Sequence, residues 1–194
     1  MVRILIIQGH PDPDPGRFGR ALARAYEAGA LEKQHEVRHI DIARLAFPLL
    51  RTHTEFMEGS PPPEIQRARE DIAWANHLVI IYPLWLGAQP ALLRAFFEQV
   101  FGNSFAMRMN SNGRGWKRLL KGRSARVVVT MGMPAAVYRL YFGAHGTKAL
   151  RRGLLALGGI SPVRESLIGM IESRSNIYRG RWLSRIQALG RAAE

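Results

Sequence analysis

The sequence predicts a doubly wound α/β domain: five parallel strands in the order 2-1-3-4-5, with helices on both faces, built from one domain spanning residues 1–194. Two observations predict it. Three short aliphatic runs, Ile4 to Ile7, Leu78 to Tyr82 and Val127 to Met131, carry few charges, and each is followed at once by a segment containing Gly or Pro. Strands covered on both faces lose the polar alternation of half-exposed ones, so these runs read as the central strands of a parallel sheet. The second observation is what lies between and after them: helical patterns at Arg17 to Lys33, Glu64 to Asn76, Pro90 to Phe101, Thr147 to Leu157 and Asn176 to Ala192. His35 to Asp41, with its polar alternation, supplies an edge strand, and Ile160 to Ile168 supplies the fifth. The connections Ala43 to Pro63 and Gly102 to Gly115 are longer than usual and hold Phe47, Phe56 and Phe105, with Trp116 just beyond; they suit pocket walls or partner contacts.

Composition bounds the chemistry. The chain has 194 residues, 28 Lys and Arg against 15 Asp and Glu, a net charge of +13, and no cysteine. Without thiols there is no disulfide scaffold, thiolate metal site, cysteine nucleophile or protein-held iron–sulfur cluster. The six histidines, at 10, 35, 39, 53, 77 and 145, are scattered, and no carboxylate completes a ligand set with His35 and His39, so no metal is expected. A Gly-x-Ser-x-Gly nucleophile elbow is also missing. No apolar run reaches the ~18 residues of a membrane-spanning helix. Met1-Val2-Arg3 leads straight into the first strand, with no cleavage site of a secretory signal. The expectation is a soluble, cytoplasmic protein.

In a sheet of this kind ligands bind outside the carboxyl ends of the strands, where the connections part to opposite faces. Here those are the loops after Ile7, Tyr82 and Met131. The first, Gly9-His10-Pro11-Asp12-Pro13-Asp14-Pro15-Gly16-Arg17-Phe18-Gly19, runs into a helix N-terminus, whose free N–H groups and dipole suit a phosphate; Arg17 adds a full charge. It is neither a dinucleotide Gly-x-Gly-x-x-Gly nor a Walker loop, and a proline-stiffened turn capped by His10 is the plainer alternative. The second, Tyr82-Pro83-Leu84-Trp85-Leu86-Gly87-Ala88-Gln89-Pro90, offers a rigid apolar shelf with backbone N–H groups outside any ladder, which suits a flat aromatic ligand. An isolated Trp is more often core packing than cofactor contact, but Trp85 follows a central strand. The third, Thr130-Met131-Gly132-Met133-Pro134-Ala135-Ala136-Val137-Tyr138, allows close backbone approach at Gly132 and is followed by His145. A Tyr and a His together can share a proton and stabilise a developing anion.

Taken together, the three loops resemble those of the NAD(P)H:quinone oxidoreductases of flavodoxin-like fold, the group that includes DT-diaphorase, the modulators of drug activity and the ancillary reductases of potassium efflux systems. The likeness spans nearly the whole chain and rests on Ile6-Ile7-Gln8-Gly9-His10-Pro11 with Phe18, on Tyr82-Pro83-Leu84-Trp85 through Pro90-Ala91-Leu92-Leu93-Arg94, on Thr130-Met131-Gly132-Met133 to Tyr138 with His145-Gly146, and on Gly158-Gly159-Ile160-Ser161-Pro162-Val163. The resemblance implies that His10, Arg17, Phe18 and Gly19 hold the phosphate of a flavin, FAD or alternatively FMN. It implies that Pro83, Leu84, Trp85, Leu86 and Gly87 run along the ring, that Thr130, Met131, Gly132 and Met133 meet its polar edge, and that Tyr138 and His145 stabilise charge as hydride arrives. Glu172 and Arg174 are further implied contacts. Leu86 and Gly87 stand where many relatives carry a second aromatic. The implied reaction passes hydride from NAD(P)H to a quinone or similar flat acceptor by ping-pong exchange, in a homodimer whose sites lie at the subunit interface.

The charge is localised. From Gln99 to Arg164 there is no Asp or Glu, yet twelve Lys or Arg stand there, among them Arg108, Lys117, Arg118, Lys121, Arg151 and Arg152. Three readings follow: a solvated basic surface with a few residues drawing NADPH phosphate, a regulatory protein docked on a membrane transporter or anionic membrane, and a nucleic-acid module. No nucleic-acid recognition motif accompanies the charge, so no nucleic-acid partner is expected.

Overall fold

The structure, a computed structural model, describes residues 1–110 and 114–194. Its main sheet holds β1 (Arg3–Gln8), β2 (Glu36–Asp41), β3 (His77–Pro83), β6 (Ser124–Thr130) and β7 (Val163–Ile168), in the order β2-β1-β3-β6-β7 with every pairing parallel. Counting only these five strands, that is the expected order 2-1-3-4-5. The two intervening numbers belong to a small antiparallel hairpin, β4 (Met107–Met109) and β5 (Trp116–Arg118). Strand β4 falls within the long connection Gly102 to Gly115 and β5 begins just past its end; residues 111–113 lie outside the described part.

Side chains alternate across the sheet and separate into two apolar layers. Ile4, Ile6, Val79, Ile81 and Val128 pack with Leu22, Tyr26 and Ala30 of α1 (Phe18–Glu32) and with Ile186 of α8 (Asn176–Ala192). Leu5, Ile7, Leu78, Ile80, Val127 and Val129 pack with Ile65 and Ile72 of α3 (Pro63–Trp74) and with Phe96, Phe97 and Val100 of α4 (Ala91–Phe101). Each fully buried aliphatic side chain contributes about 1.5–3 kcal/mol. This is why β1, β3 and β6 carry unbroken apolar runs, while β2, with Ile40 as its one buried residue, sits at the edge. Helices α1 and α8 approach closely because Gly29 faces the backbone of Gln187 and Gly190 faces that of Tyr26; a Cβ at either position would collide.

The shorter helices were not all visible in the sequence. A 3₁₀ turn (Ile42–Arg44) and α2 (His53–Glu58) divide the first long connection. The segment from Ala135 holds α5 (Ala135–Leu140), and the expected helix from Thr147 is a composite of α6 (His145–Lys148), a π turn (Ala149–Leu155) and α7 (Ala156–Gly158). Among the described residues no helix is long and apolar enough to cross a membrane.

Candidate functional site

The registers align the carboxyl ends of the central strands, with Gln8 beside Ile81 and Pro83 beside Thr130, so the loops that follow β1, β3 and β6 emerge side by side. Between them lies a cavity of about 490 Å³. Its wall takes His10, Arg17, Phe18 and Gly19 from the first loop and the start of α1, Pro83, Leu84 and Trp85 from the second, and Thr130, Met131 and Gly132 from the third. Ten of the expected contacts therefore share one hollow, joined by Asp12, Gly16, Ile171, Glu172 and Arg179.

The first loop is braced by its own carboxylates. The Asp12 amide donates to His10 Nδ1 at 3.0 Å, the Asp14 amide donates to Asp12 at 2.9 Å, and the Gly16 amide donates to Asp14 at 2.8 Å. Arg17 pairs with Asp12 at 2.5 Å, and Arg20 ties the Asp12 carbonyl (3.1 Å) to the Asp41 carboxylate (2.7 Å) at the end of β2. The Asp14 amide and the Arg17 guanidinium hold the Asp12 carboxyl below its ordinary range. Burial, reinforced by Arg17, pulls His10 below the ordinary imidazole value, so the ring is neutral near pH 7. Because Nδ1 accepts, the neutral ring carries its proton on Nε2. Arg17 stands at the N-cap of α1 without a side-chain cap, and the first-turn amides of Phe18 and Gly19 find no hydrogen-bond partner among the described residues, leaving an open anion cradle.

The second loop is a tight turn pinned to its neighbour. Leu84 donates to Thr130 at 2.8 Å, and Trp85 and Ala88 exchange hydrogen bonds at 2.9 Å, closing a turn whose central residues, Leu86 (φ 47°) and Gly87 (φ 81°), are both left-handed. Trp85 is half exposed and meets the His10 ring edge-on at 6.1 Å between centroids. In the third loop Met131 donates to Ile168 at 2.9 Å, while Gly132 leaves room: a Cβ there would meet nothing nearer than Glu172 Oε2 at 3.9 Å. Arg179, in the first turn of α8, donates to the Ile171 carbonyl from Nε (3.1 Å) and Nη2 (2.9 Å), fixing the far wall.

Five expected contacts stand off this wall. Leu86 points fully into solvent because the left-handed turn throws it outward, and Gly87 turns its carbonyl away toward α5 and α6. Met133 packs at the edge of the core formed with α3 and α4, its carbonyl accepting from Met170 at 3.1 Å. Tyr138 is 0% exposed and lies behind the turn: its hydroxyl donates to the Gly87 carbonyl and accepts from the Thr147 amide, each at 3.2 Å. His145 opens α6 on the surface, its ring against Gly143; its neighbour Gly146 seats directly on the Gly87 carbonyl, where a Cβ would clash. Of the further implied contacts, Glu172 lines the cavity, whereas Arg174 bends back onto Met170 and the Tyr178 ring.

A separate hollow of about 350 Å³ lies between Leu50, Phe56, Pro61 and Asn103. The buried Arg69 beside it donates to the carbonyls of Gln99, Val100 and Gly102, closing the end of α4 rather than presenting charge to a ligand.

Residues 2–179 match the family model described as flavodoxin-like fold. An NAD(P)H oxidoreductase of Haemophilus influenzae, itself described as uncharacterized, is 30% identical over 172 residues, covering 86% of this chain and 83% of the relative. Among solved structures, an NAD(P)H:quinone oxidoreductase from Methanothermobacter marburgensis superposes with a TM-score of 0.80 at 24% identity, over 98% of this chain and 96% of that one. An FMN-dependent NADH-azoreductase from Bacillus anthracis does so with a TM-score of 0.75 at 17% identity, over the whole of both chains. The two structures share the fold, and the family match together with the Haemophilus relative places the chain: it belongs to the flavodoxin-like family of NAD(P)H oxidoreductases.

Proposed function

We propose that this protein is a flavin-dependent NAD(P)H oxidoreductase acting on quinones or similar flat acceptors, with the cavity between the first three loops as its active site. The observation that carries the reading is the convergence, at the tips of β1, β3 and β6, of an anion cradle, an apolar shelf and a backbone edge open to close approach. These fit a flavin. The unpartnered amides of Phe18 and Gly19, with Arg17, match a phosphate; Pro83, Leu84 and Trp85 match the face of a ring; Gly132 leaves its backbone accessible to polar ring atoms. When bound, a flavin supplies hydride acceptance from NAD(P)H and hydride return to the second substrate, in alternation at one site.

The chain's own residues bind and orient. Arg17 neutralises the phosphate, and His10 donates from Nε2 while its Nδ1 is held by the Asp12 amide. Thr130 and Gly132 face the polar edge of the ring, and Trp85 shields it from water. Tyr138 and Thr147 hold the turn that carries Trp85. His145, on the exposed end of α6, stands off the cavity wall and takes no part in holding the flavin in this reading. FMN is the favoured flavin, since the B. anthracis neighbour is FMN-dependent. The reading includes a homodimer, in which a second copy covers the exposed Leu86, Leu140, Tyr141 and Phe142.

The test is the colour of the purified protein and the identity of its released flavin. FMN at one equivalent per chain, reduced by NAD(P)H and reoxidised by a benzoquinone, supports the reading. A colourless chain that takes up neither FMN nor FAD removes it.

A further inference from the structure

The outer edge of β7 is bare. A parallel ladder bonds alternate residues of each strand. The Ala125 amide donates to the Pro162 carbonyl and the Met131 amide to that of Ile168, both at 2.9 Å. Arg164, Ser166 and Ile168 therefore turn their backbone groups toward β6, while Val163, Glu165 and Leu167 turn their amides and carbonyls away from the sheet. No strand of the sheet lies beyond β7, and none of those outward groups has a hydrogen-bond partner among the described residues. Such a row is a template for an added strand.

The edge lies on the floor of a groove of about 430 Å³. Ala135, Ala136 and Arg139 of α5 form one bank, and Trp182 and Arg185 of α8 form the other. A strand laid along β7 would send successive side chains to opposite faces of the sheet, one row against each bank. The two alanines leave room on the first bank, and the Trp182 indole, with Arg185 over its ring at 5.0 Å, walls the second. Each bank carries a cation. Arg139 and Arg185 are exposed, and among the described residues neither takes part in an ion pair. The carboxylate on the floor, Glu165, lies 3.8 Å from Arg151, and Arg164 is paired with Glu194 at 3.0 Å, so Arg139 and Arg185 are the unmatched charges.

We propose that β7 is a docking edge for an extended acidic peptide, which adds a strand to the sheet and sets its carboxylates against Arg139 and Arg185. The bare backbone favours a peptide over other anions. A nucleic acid or a lipid headgroup would use the two arginines, but neither offers a ladder to the amides and carbonyls of Glu165 and Leu167. The groove shares no residue with the cavity between the first three loops, so this inference and the redox reading stand or fall separately.

The test is fluorescence anisotropy of the full chain with a short, labelled, end-blocked peptide in which pairs of Glu alternate with pairs of Val, so that both faces of the strand carry acid. The peptide binds the parent, and its counterpart with Lys in place of Glu does not. Arg139→Gln with Arg185→Gln weakens binding by about tenfold, as the loss of two exposed ion pairs allows. Arg24→Gln with Arg67→Gln, on exposed positions of α1 and α3, leaves it unchanged. Glu165→Pro removes an outward amide that the ladder with β6 does not use, and it weakens binding as well. N-methylation of the peptide amides keeps every charge and removes the donors, so it tests the added ladder without touching the fold; affinity falls by about tenfold or more. Equal binding of the N-methylated peptide, or binding unaltered in the Arg139/Arg185 variant, overturns the inference. So does a parent that does not bind the peptide; if Glu165→Pro then lowers the oligomeric state in sedimentation velocity, the edge belongs to a second copy of the chain instead.

Discussion

The hydroxyl of Tyr138 donates to the carbonyl oxygen of Gly87 at 3.2 Å, with no part of the side chain reaching solvent. It binds a residue 51 positions earlier in the chain and fastens the left-handed turn that carries Trp85 to the helices behind it. The Thr147 amide completes the link by donating to the same hydroxyl. Tyr138→Phe keeps the ring and removes both bonds, and at about 0.5–1.5 kcal/mol each the loss of stability is about 1–3 kcal/mol, read as a lower urea midpoint at unchanged slope. The flavin stays bound, and its reduction by NADPH slows by about tenfold or more because the shelf is no longer held in register. An unchanged stopped-flow rate constant would remove Tyr138 from the positioning of the site.

Arg17 stands at the open end of α1, and its present partners are Asp12 and Asp14 on the surface of the same loop. A phosphate in the cradle gains a charge-assisted bond of about 1.5–3 kcal/mol from it. Arg17→Gln therefore weakens FMN binding by about ten- to a hundredfold, while riboflavin, which lacks the phosphate, binds the variant and the parent alike. Fluorescence titration with the two flavins reads the difference. In the same variant the His10 resonance titrates at higher pH, since Arg17 is one of the causes that lower it.

His77, at the opposite end of the sheet, makes stability depend on acid. Its ring stacks on Tyr26, its Nδ1 lies 2.7 Å from Ser124 Oγ, and burial, with Arg126 and Arg164 adding repulsion, lowers its pKa to about 4. The unfolded chain binds this proton near pH 6.5 and the folded chain only near 4, so stability falls as pH drops through that window and this contribution is flat on either side. The loss amounts to about 3 kcal/mol at most. His77→Gln flattens the slope of unfolding free energy between pH 6.5 and 4, measured by urea titration at a series of pH values.

Leu140 and Tyr141 are both 82% exposed at the end of α5. If a second copy covers them, Leu140→Glu with Tyr141→Glu shifts the protein from dimer to monomer in light scattering and leaves the thermal midpoint of the monomer unchanged. A parent protein that elutes as a monomer excludes this interface.

The parallel sheet was legible because burial on both faces writes itself as unbroken aliphatic runs: Ile4 to Ile7 and Leu78 to Tyr82 fall within β1 and β3, while the run at Val127 overshoots β6 by one residue, Met131. The hairpin β4–β5 was not, since Met-Arg-Met and Trp-Lys-Arg are too short and too exposed to show a period of two against a core. Helix α2 did carry a signal that went unread: Thr52 three residues before Glu55 is a capping box, with the Glu55 amide donating to Thr52 at 3.1 Å. At the site, the ten residues within three consecutive loop stretches were found together because each loop follows a central strand. Arg179 was missed, because a wall built by the last helix is fixed by tertiary packing that no local pattern records. Tyr138 and Leu86 were expected on the cavity because the family resemblance implies it. The left-handed turn at Leu86 and Gly87 decides otherwise, sending one side chain to solvent and aiming the adjacent carbonyl at the other.

The central claim is that the tips of β1, β3 and β6 hold one flavin. Its most direct test is an FMN titration of the flavin-free protein beside Trp85→Ala with Arg17→Gln. The parent saturates at one FMN per chain and quenches flavin fluorescence, and both are lost in the double variant, whose fold is intact by circular dichroism. Saturable binding that the double variant retains undiminished, or no binding of FMN by the parent at all, contradicts it.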